Sequence, residues 1–269
     1  MEGMIRLGAM CACVSLVLAA GCESGDHGAA RGALEDSVAP AVPDPTLPAP
    51  TVIEPALGDE RVLDRRADGA RITGHLEPFP PNADPERVLV IHTRGLPAAI
   101  ATQLEGARVV DARFVGDAVA TIGPDHVLRL HTQAGVSELD REAYAPMSVA
   151  GARIAYVRGE MPFFEVARAD TTTGAASALT TNMAPAWSPA LTPDGETVVF
   201  VSGAGGSPRL YRIEGSGAPE ALPETARTPA SPIAPRFEDG LLVFEDEQGT
   251  AWLDLEQGRI VRTSAVVAR

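Results

Sequence analysis

"APAWSPALTPDGETVVFVSGAGGSPRLYRIEGSG", residues 184–217, decides how the chain folds. In Thr192-Pro193-Asp194-Gly195, Pro presets φ at the second turn position and Asp suits the third by bonding nearby backbone. Gly then takes the left-handed fourth position. Val198, Val199, Phe200 and Val201 follow without alternation, as in a strand buried on both faces. "GAGGS", 203–207, is a hairpin loop: it stands between two strand-like runs and lacks the glycine spacing and following helix of a dinucleotide loop. "RLYRIE", 209–214, is the second strand, and Ser202 ends a buried strand and is no nucleophile.

Working outward, the same order of turn glycine, β-rich run, turn, β-rich run and closing glycine recurs. The opening glycines are Gly116, Gly151, Gly195 and Gly240, spaced by 35, 44 and 45 residues, and the units close at Gly135, Gly174, Gly217 and Gly258. A more worn copy, "DPERVLVIHTRGLPAAIATQLEG", occupies 84–106, and the stretches between copies supply the outer strand of one unit and the inner strand of the next. "GARITGHL", 69–76, starts the first unit or closes the ring as an extra strand, and "RIVRTSAVV" finishes the last. A period near 40 residues built from short strands is that of propeller blades. The expected fold class is all-β: a β-propeller of about five four-stranded blades over 61–269, preceded by a signal segment and a disordered tether. The 26 glycines and 23 prolines agree with many turns, and 4% aromatic content makes the core aliphatic.

The unit at 184–217 resembles the Pro-Asp repeat of TolB-like β-propellers, with Thr192 in place of the usual Ser before Pro-Asp-Gly. "EDG" at 238–240 is the nearest second copy of the turn. The resemblance implies a periplasmic binding module. TolB-like proteins are partners of an outer-membrane lipoprotein.

The chain opens with Arg6, an apolar run over 7–20 too short to span a bilayer, and small residues before a cysteine. "LAAGC", 18–22, resembles the lipobox of bacterial lipoproteins, with Leu18 one place further from the cysteine than usual. It implies a signal peptide over 1–21 and lipidation of Cys22. Cys11 and Cys13 lie inside the removed segment, which leaves Cys22 with no disulfide partner in the mature chain. The resemblance places the protein in the envelope of a Gram-negative bacterium, on the outer membrane in preference to the inner.

Residues 22–60 carry prolines at 40, 43, 45, 48, 50 and 55, no aromatic residue and no periodicity, so they read as a disordered tether. Extended, it reaches roughly 100 Å; as a flexible coil it averages about 35 Å. Its eight carboxylates (Glu23, Asp26, Glu35, Asp36, Asp44, Glu54, Asp59, Glu60) against Arg31 hold half of the net charge of −14. Every one of the 22 basic residues is arginine, and none forms a basic block, which argues against nucleic acid as a partner.

No nucleophile elbow, phosphate loop, His-Glu-x-x-His run or Cys-x-x-Cys pair is present. His27, His75, His92, His126 and His131 show no local ligand spacing, although propeller enzymes assemble sites from distant blades. The acidic stretch of the last unit (Glu238, Asp239, Glu245, Asp246, Glu247, Asp254, Glu256) lacks the alternating ligands of a calcium loop. The sequence therefore designates no catalytic, metal or cofactor-binding residue and no cofactor. The expected partner is a protein, peptide or glycan held at the propeller face by a monomer. Loops 158–164, 203–209 and 245–252 are candidates for that face, with Met161, Phe163, Phe164, Tyr211 and Trp252 as anchors or blade packing. The alternative function is a propeller hydrolase or lyase acting on polysaccharide or peptide.

Overall fold

The computed structural model describes residues 61–76, 88–160, 162–181, 183, 185–222, 233–246 and 249–265. All fall in one compact unit, Val52–Arg269. The signal segment, Cys22, the tether and Met161 lie outside the described residues.

Five antiparallel sheets follow one another, each made of four consecutive strands. The first holds β1 (Arg61–Arg65), β2 (Arg71–Leu76), β3 (Leu89–Arg94) and β4 (Arg108–Val109), with α1 (Ala98–Leu104) between β3 and β4. The second holds β5 (Asp111–Val115), β6 (Ala118–Ile122), β7 (Leu128–Thr132) and β8 (Gly135–Asp140). The third holds β9 (Ala143–Ala150), β10 (Arg153–Arg158), β11 (Glu165–Asp170) and β12 (Ala176–Ala178). The fourth holds β13 (Ala186–Leu191), β14 (Thr197–Ser202), β15 (Arg209–Glu214) and β16 (Glu220–Ala221). The fifth holds β17 (Ile233–Glu238), β18 (Leu241–Asp246), β19 (Gly249–Asp254) and β20 (Arg259–Ala265). This is a five-blade propeller; among the described residues each sheet takes its four strands from consecutive sequence, and "GARITGHL" supplies β2 of the first blade.

One expectation gives way. The second half of the worn copy at 84–106 is the helix α1, which buries Ile100 and Leu104 one turn apart and is entered through Pro97. Ala, Gln and Leu favour helix, and a proline before the first turn is compatible with it. The first half of that copy is β3, the third strand of its blade. The opening turn lies further upstream, at Gly69, whose φ is +88°.

The core lies between the blades, and strand periodicity divides it. On β14, Val198 and Phe200 pack with Ala155 and Val166 of the third blade. Val199 and Val201 pack with Leu242 and Phe244 of the fifth. All four β14 side chains are fully buried, each stabilising by about 1.5–3 kcal/mol. Equivalent clusters join the first blade to the second, through Ile72, Ile91, Ile100 and Phe114, and the second to the third, through Ile122, Leu128, Ile154 and Tyr156.

The opening turn that decided the reading is closed by its own side chains. Asp194 Oδ1 accepts from the Thr192 hydroxyl at 2.6 Å and from the Glu196 N–H at 2.9 Å. Those two bonds, the Thr192 bond first, hold the Asp194 carboxyl below the usual range. Arg153 of the preceding blade then clamps the turn, with Nη1 2.9 Å from the Gly195 carbonyl and 2.7 Å from Glu196 Oε1.

Candidate functional site

The innermost strands β1, β5, β9, β13 and β17 together line a central cavity of about 670 Å³. Each presents its free edge inward, and prolines sit there: Pro146, Pro189 and Pro235 occupy three of the five strands. Proline gives no N–H to the ladder, so an unpaired edge tolerates it, and it blocks edge-to-edge pairing.

Side chains of one inner strand fasten the backbone of the next. Asp64 Oδ2 accepts from the Phe114 N–H at 2.8 Å, Asp111 Oδ2 from the Met147 N–H at 2.9 Å, and Ser148 Oγ from the Leu191 N–H at 3.0 Å. Three successive blade junctions therefore use one device, an acceptor side chain answering an edge N–H that would otherwise face the channel. Asp111 is 5% exposed. Burial pushes its carboxyl up, against the opposing pull of Arg113 and of the Met147 and Ala112 N–H groups.

Three arginines line the wall with Asp64: Arg61, Arg113 and Arg236. Arg113 donates through Nη1 to the Leu63 carbonyl and lies 3.4 Å through Nε from Asp111. Arg236 sits 2.7 Å from Glu238 Oε1 and 3.7 Å from Glu245 Oε1, all three half-exposed. Phe114, Phe237, Met147 and the prolines complete the wall. Planar donors beside apolar surface suit the holding of an extended ligand with both kinds of group. The sequence carried a signal for part of this: the Arg-Phe doublet recurs in "ARFVGD" and "PRFEDG", ahead of the turn glycines of the second and fifth blades.

The loops singled out from the sequence are hairpins between the second and third strands of their blades, and their described residues stand outside the channel wall. Two of them are tied to the linkers entering the inner strands: Gly159 N–H reaches the Glu142 carbonyl at 3.1 Å, and Gly203 N–H the Pro185 carbonyl at 3.1 Å. Of the five anchors, Phe163 is 71% exposed. Phe164 packs on Tyr144, which stacks on His126. Tyr211 stacks with Phe200, and Trp252 carries Arg262 over its ring at 3.7 Å. Packing between and within blades accounts for those three.

The histidines divide likewise. His131 is buried, with Nε2 3.0 Å from Thr121 Oγ1. Desolvation, aided by Arg129, takes it down to about 4. His75 and His92, which showed no local spacing, come together on the first blade. Ser202 is fully buried; its hydroxyl donates to the Met183 carbonyl at 2.8 Å and accepts from the Ala204 N–H at 3.1 Å, the role of a strand end. Among the described residues, no three His, Cys, Asp or Glu side chains form a metal cage, and no helix is long and apolar enough to cross a membrane.

No protein-family model matches the chain, and no curated protein matches it in sequence. Solved structures do. The chain is similar to TolB from Acinetobacter baumannii, with 19% identity over 74% of this chain and 54% of that one and a TM-score of 0.50. It is similar to dipeptidyl peptidase 4 from Porphyromonas gingivalis, with 10% identity over 74% and 38% and a TM-score of 0.52. It also resembles a prolyl endopeptidase, with 14% identity over 78% and 34% and a TM-score of 0.51. The chain spans about half the length of the TolB protein and little more than a third of the two peptidases. At these identities the likeness shows the propeller fold.

Proposed function

We propose that the chain is a membrane-anchored, non-enzymatic propeller of the bacterial envelope, and that its channel face holds a protein, peptide or glycan partner. The observation that carries this reading is the cavity: all five inner strands contribute to it, and Arg61, Arg113 and Arg236 stand in it beside Phe114, Phe237 and Met147. These groups grip by charge-assisted hydrogen bonds and apolar contact. The likeness to TolB supports an envelope setting, and the lipobox-like "LAAGC" supports anchoring through Cys22 with residues 22–60 as spacer. Outer-membrane anchoring and a monomeric state belong to the same proposal.

The channel claim is tested by affinity capture from envelopes with the full chain as bait, next to Arg61→Glu, which reverses a charge on the cavity wall. A partner kept by the wild type and lost by the variant supports it, and a partner kept equally by both overturns the channel as the binding place. Anchoring is tested by palmitate labelling and intact mass. A diacylglyceryl addition absent from Cys22→Ser is expected, and an unmodified Cys22 thiol contradicts it. Turnover of a peptide or polysaccharide, lost when Asp64 or Arg113 is changed, would replace the binding reading with the hydrolase or lyase one.

A further inference from the structure

The first blade carries a polar cluster on its sheet, separate from the channel wall. In the β2–β3 register Thr73 faces His92 and His75 faces Val90, so the two histidines are diagonal neighbours on one side of the sheet, although 16 residues intervene in sequence. His92 Nε2 lies 3.2 Å from His75 Nδ1. The ring planes are inclined by 15° and the centroids stand 5.1 Å apart. On its other side His92 Nδ1 lies 2.6 Å from Glu105 Oε1. Glu105 is itself fixed by the Thr93 N–H, 3.2 Å from its Oε2.

Glu105 accepts only, so a neutral His92 carries its proton on Nδ1 and offers Nε2 as a lone pair, to which His75 Nδ1 donates. A carboxylate behind a histidine whose far nitrogen is free is the support that metal-bound imidazoles carry. Two nitrogens each about 2.0 Å from a tetrahedral zinc stand about 3.3 Å apart, which the His75–His92 pair already matches. A small rotation of the rings, with the His75 proton moved from Nδ1 to Nε2, converts the hydrogen bond into shared coordination and releases no proton from the pair. His92 is half-exposed, so water can complete the shell.

From this geometry we infer that His75 and His92 form an open, two-nitrogen seat for a divalent transition cation such as Zn²⁺, Cu²⁺ or Ni²⁺, with Glu105 as the positioning residue behind His92. Imidazole nitrogens favour these ions over Mg²⁺ and Ca²⁺, which take oxygen ligands. Two side chains on adjacent strands of one sheet also hold their spacing better than a loop does.

The test is titration of the full chain with Zn²⁺, and separately with Ca²⁺, beside His75→Gln, His92→Gln and Glu105→Gln. Metal taken up elsewhere, at Cys22 for instance, is common to all four proteins and cancels in the comparison. The seat predicts one Zn²⁺ site lost, by tenfold or more in affinity, in either histidine variant, and weakened about tenfold in Glu105→Gln, with no matching Ca²⁺ site. Zn²⁺ should also shift the ring resonances of two histidines together, a readout that does not depend on any variant folding. Equal Zn²⁺ binding by the wild type and His75→Gln would overturn the inference, and so would resonances of His75 and His92 that stay fixed as Zn²⁺ is added.

Discussion

The fourth and first blades of the ring treat their polar residues in opposite ways. In the fourth, Thr192 and Asp194 close the turn, Ser202 ends the second strand, and each spends its hydrogen bonds on neighbouring backbone or on the turn itself. In the first, His75, His92 and Glu105 bond to one another across β2, β3 and the end of α1, with Glu105 also accepting from the Thr93 N–H. Where the repeat is intact, its polar groups are consumed by making the blade. Where it is worn, and a helix replaces part of the strand pattern, side chains become available for something else.

The sharpest way to break the comparison is to damage each blade at its own characteristic residue. Phe200→Ala in β14 should cost about 3–5 kcal/mol, because a fully buried ring leaves a cavity between the third and fourth blades; urea unfolding reads it. A loss below 1 kcal/mol would mean that blade junctions are not where stability lies.

Next is a histidine that the fold has absorbed. His131 is held down to about 4 in the folded protein, against a model-peptide value of 6.5. The unfolded chain therefore takes up a proton below pH 6.5 while the folded one refuses it until about pH 4. Its contribution to stability is complete above pH 6.5 and declines as the pH falls through that window, by about 3 kcal/mol in all. Urea midpoints measured from pH 7 to pH 4 should fall accordingly, and His131→Gln should flatten that slope. An unchanged slope would show that His131 titrates freely.

The opening turns discriminate more finely. Gly195 has φ +73°, and a Cβ there would lie 3.2 Å from the Ala150 carbonyl oxygen; Gly69, at φ +88°, has open space around it. Gly195→Ala should cost about 1–2 kcal/mol and Gly69→Ala about 1 kcal/mol, the backbone strain being common to both. Equal costs would show that the contact with the third blade adds nothing. Smallest of all, His92→Gln should change stability by less than about 0.5 kcal/mol. A loss near that of Phe200→Ala would return the first-blade cluster to the structural role seen in the fourth.

The same contrast explains what could be read from the sequence. Thr-Pro-Asp-Gly and the unbroken Val-Val-Phe-Val run encode their conformation locally, and repetition of the glycines extended the reading to five blades. The stretch 98–104 misled because its apolar content fits a strand, yet the one-turn spacing of Ile100 and Leu104 after Pro97 is a helix signal. The channel was visible only as an Arg-Phe doublet, since its wall takes one short segment from every blade. His75 and His92 were not legible as a pair, because cross-strand register, and no local spacing, brings them together.

The binding role of the ring is tested most directly by photocrosslinking in intact envelopes, with the reactive side chain placed at Arg61 on the channel wall or at Glu220 on the exposed outer strand β16. The account predicts one discrete adduct from Arg61 and none of the same mass from Glu220. The same adduct from both positions, or one from Glu220 alone, would contradict a partner held in the channel.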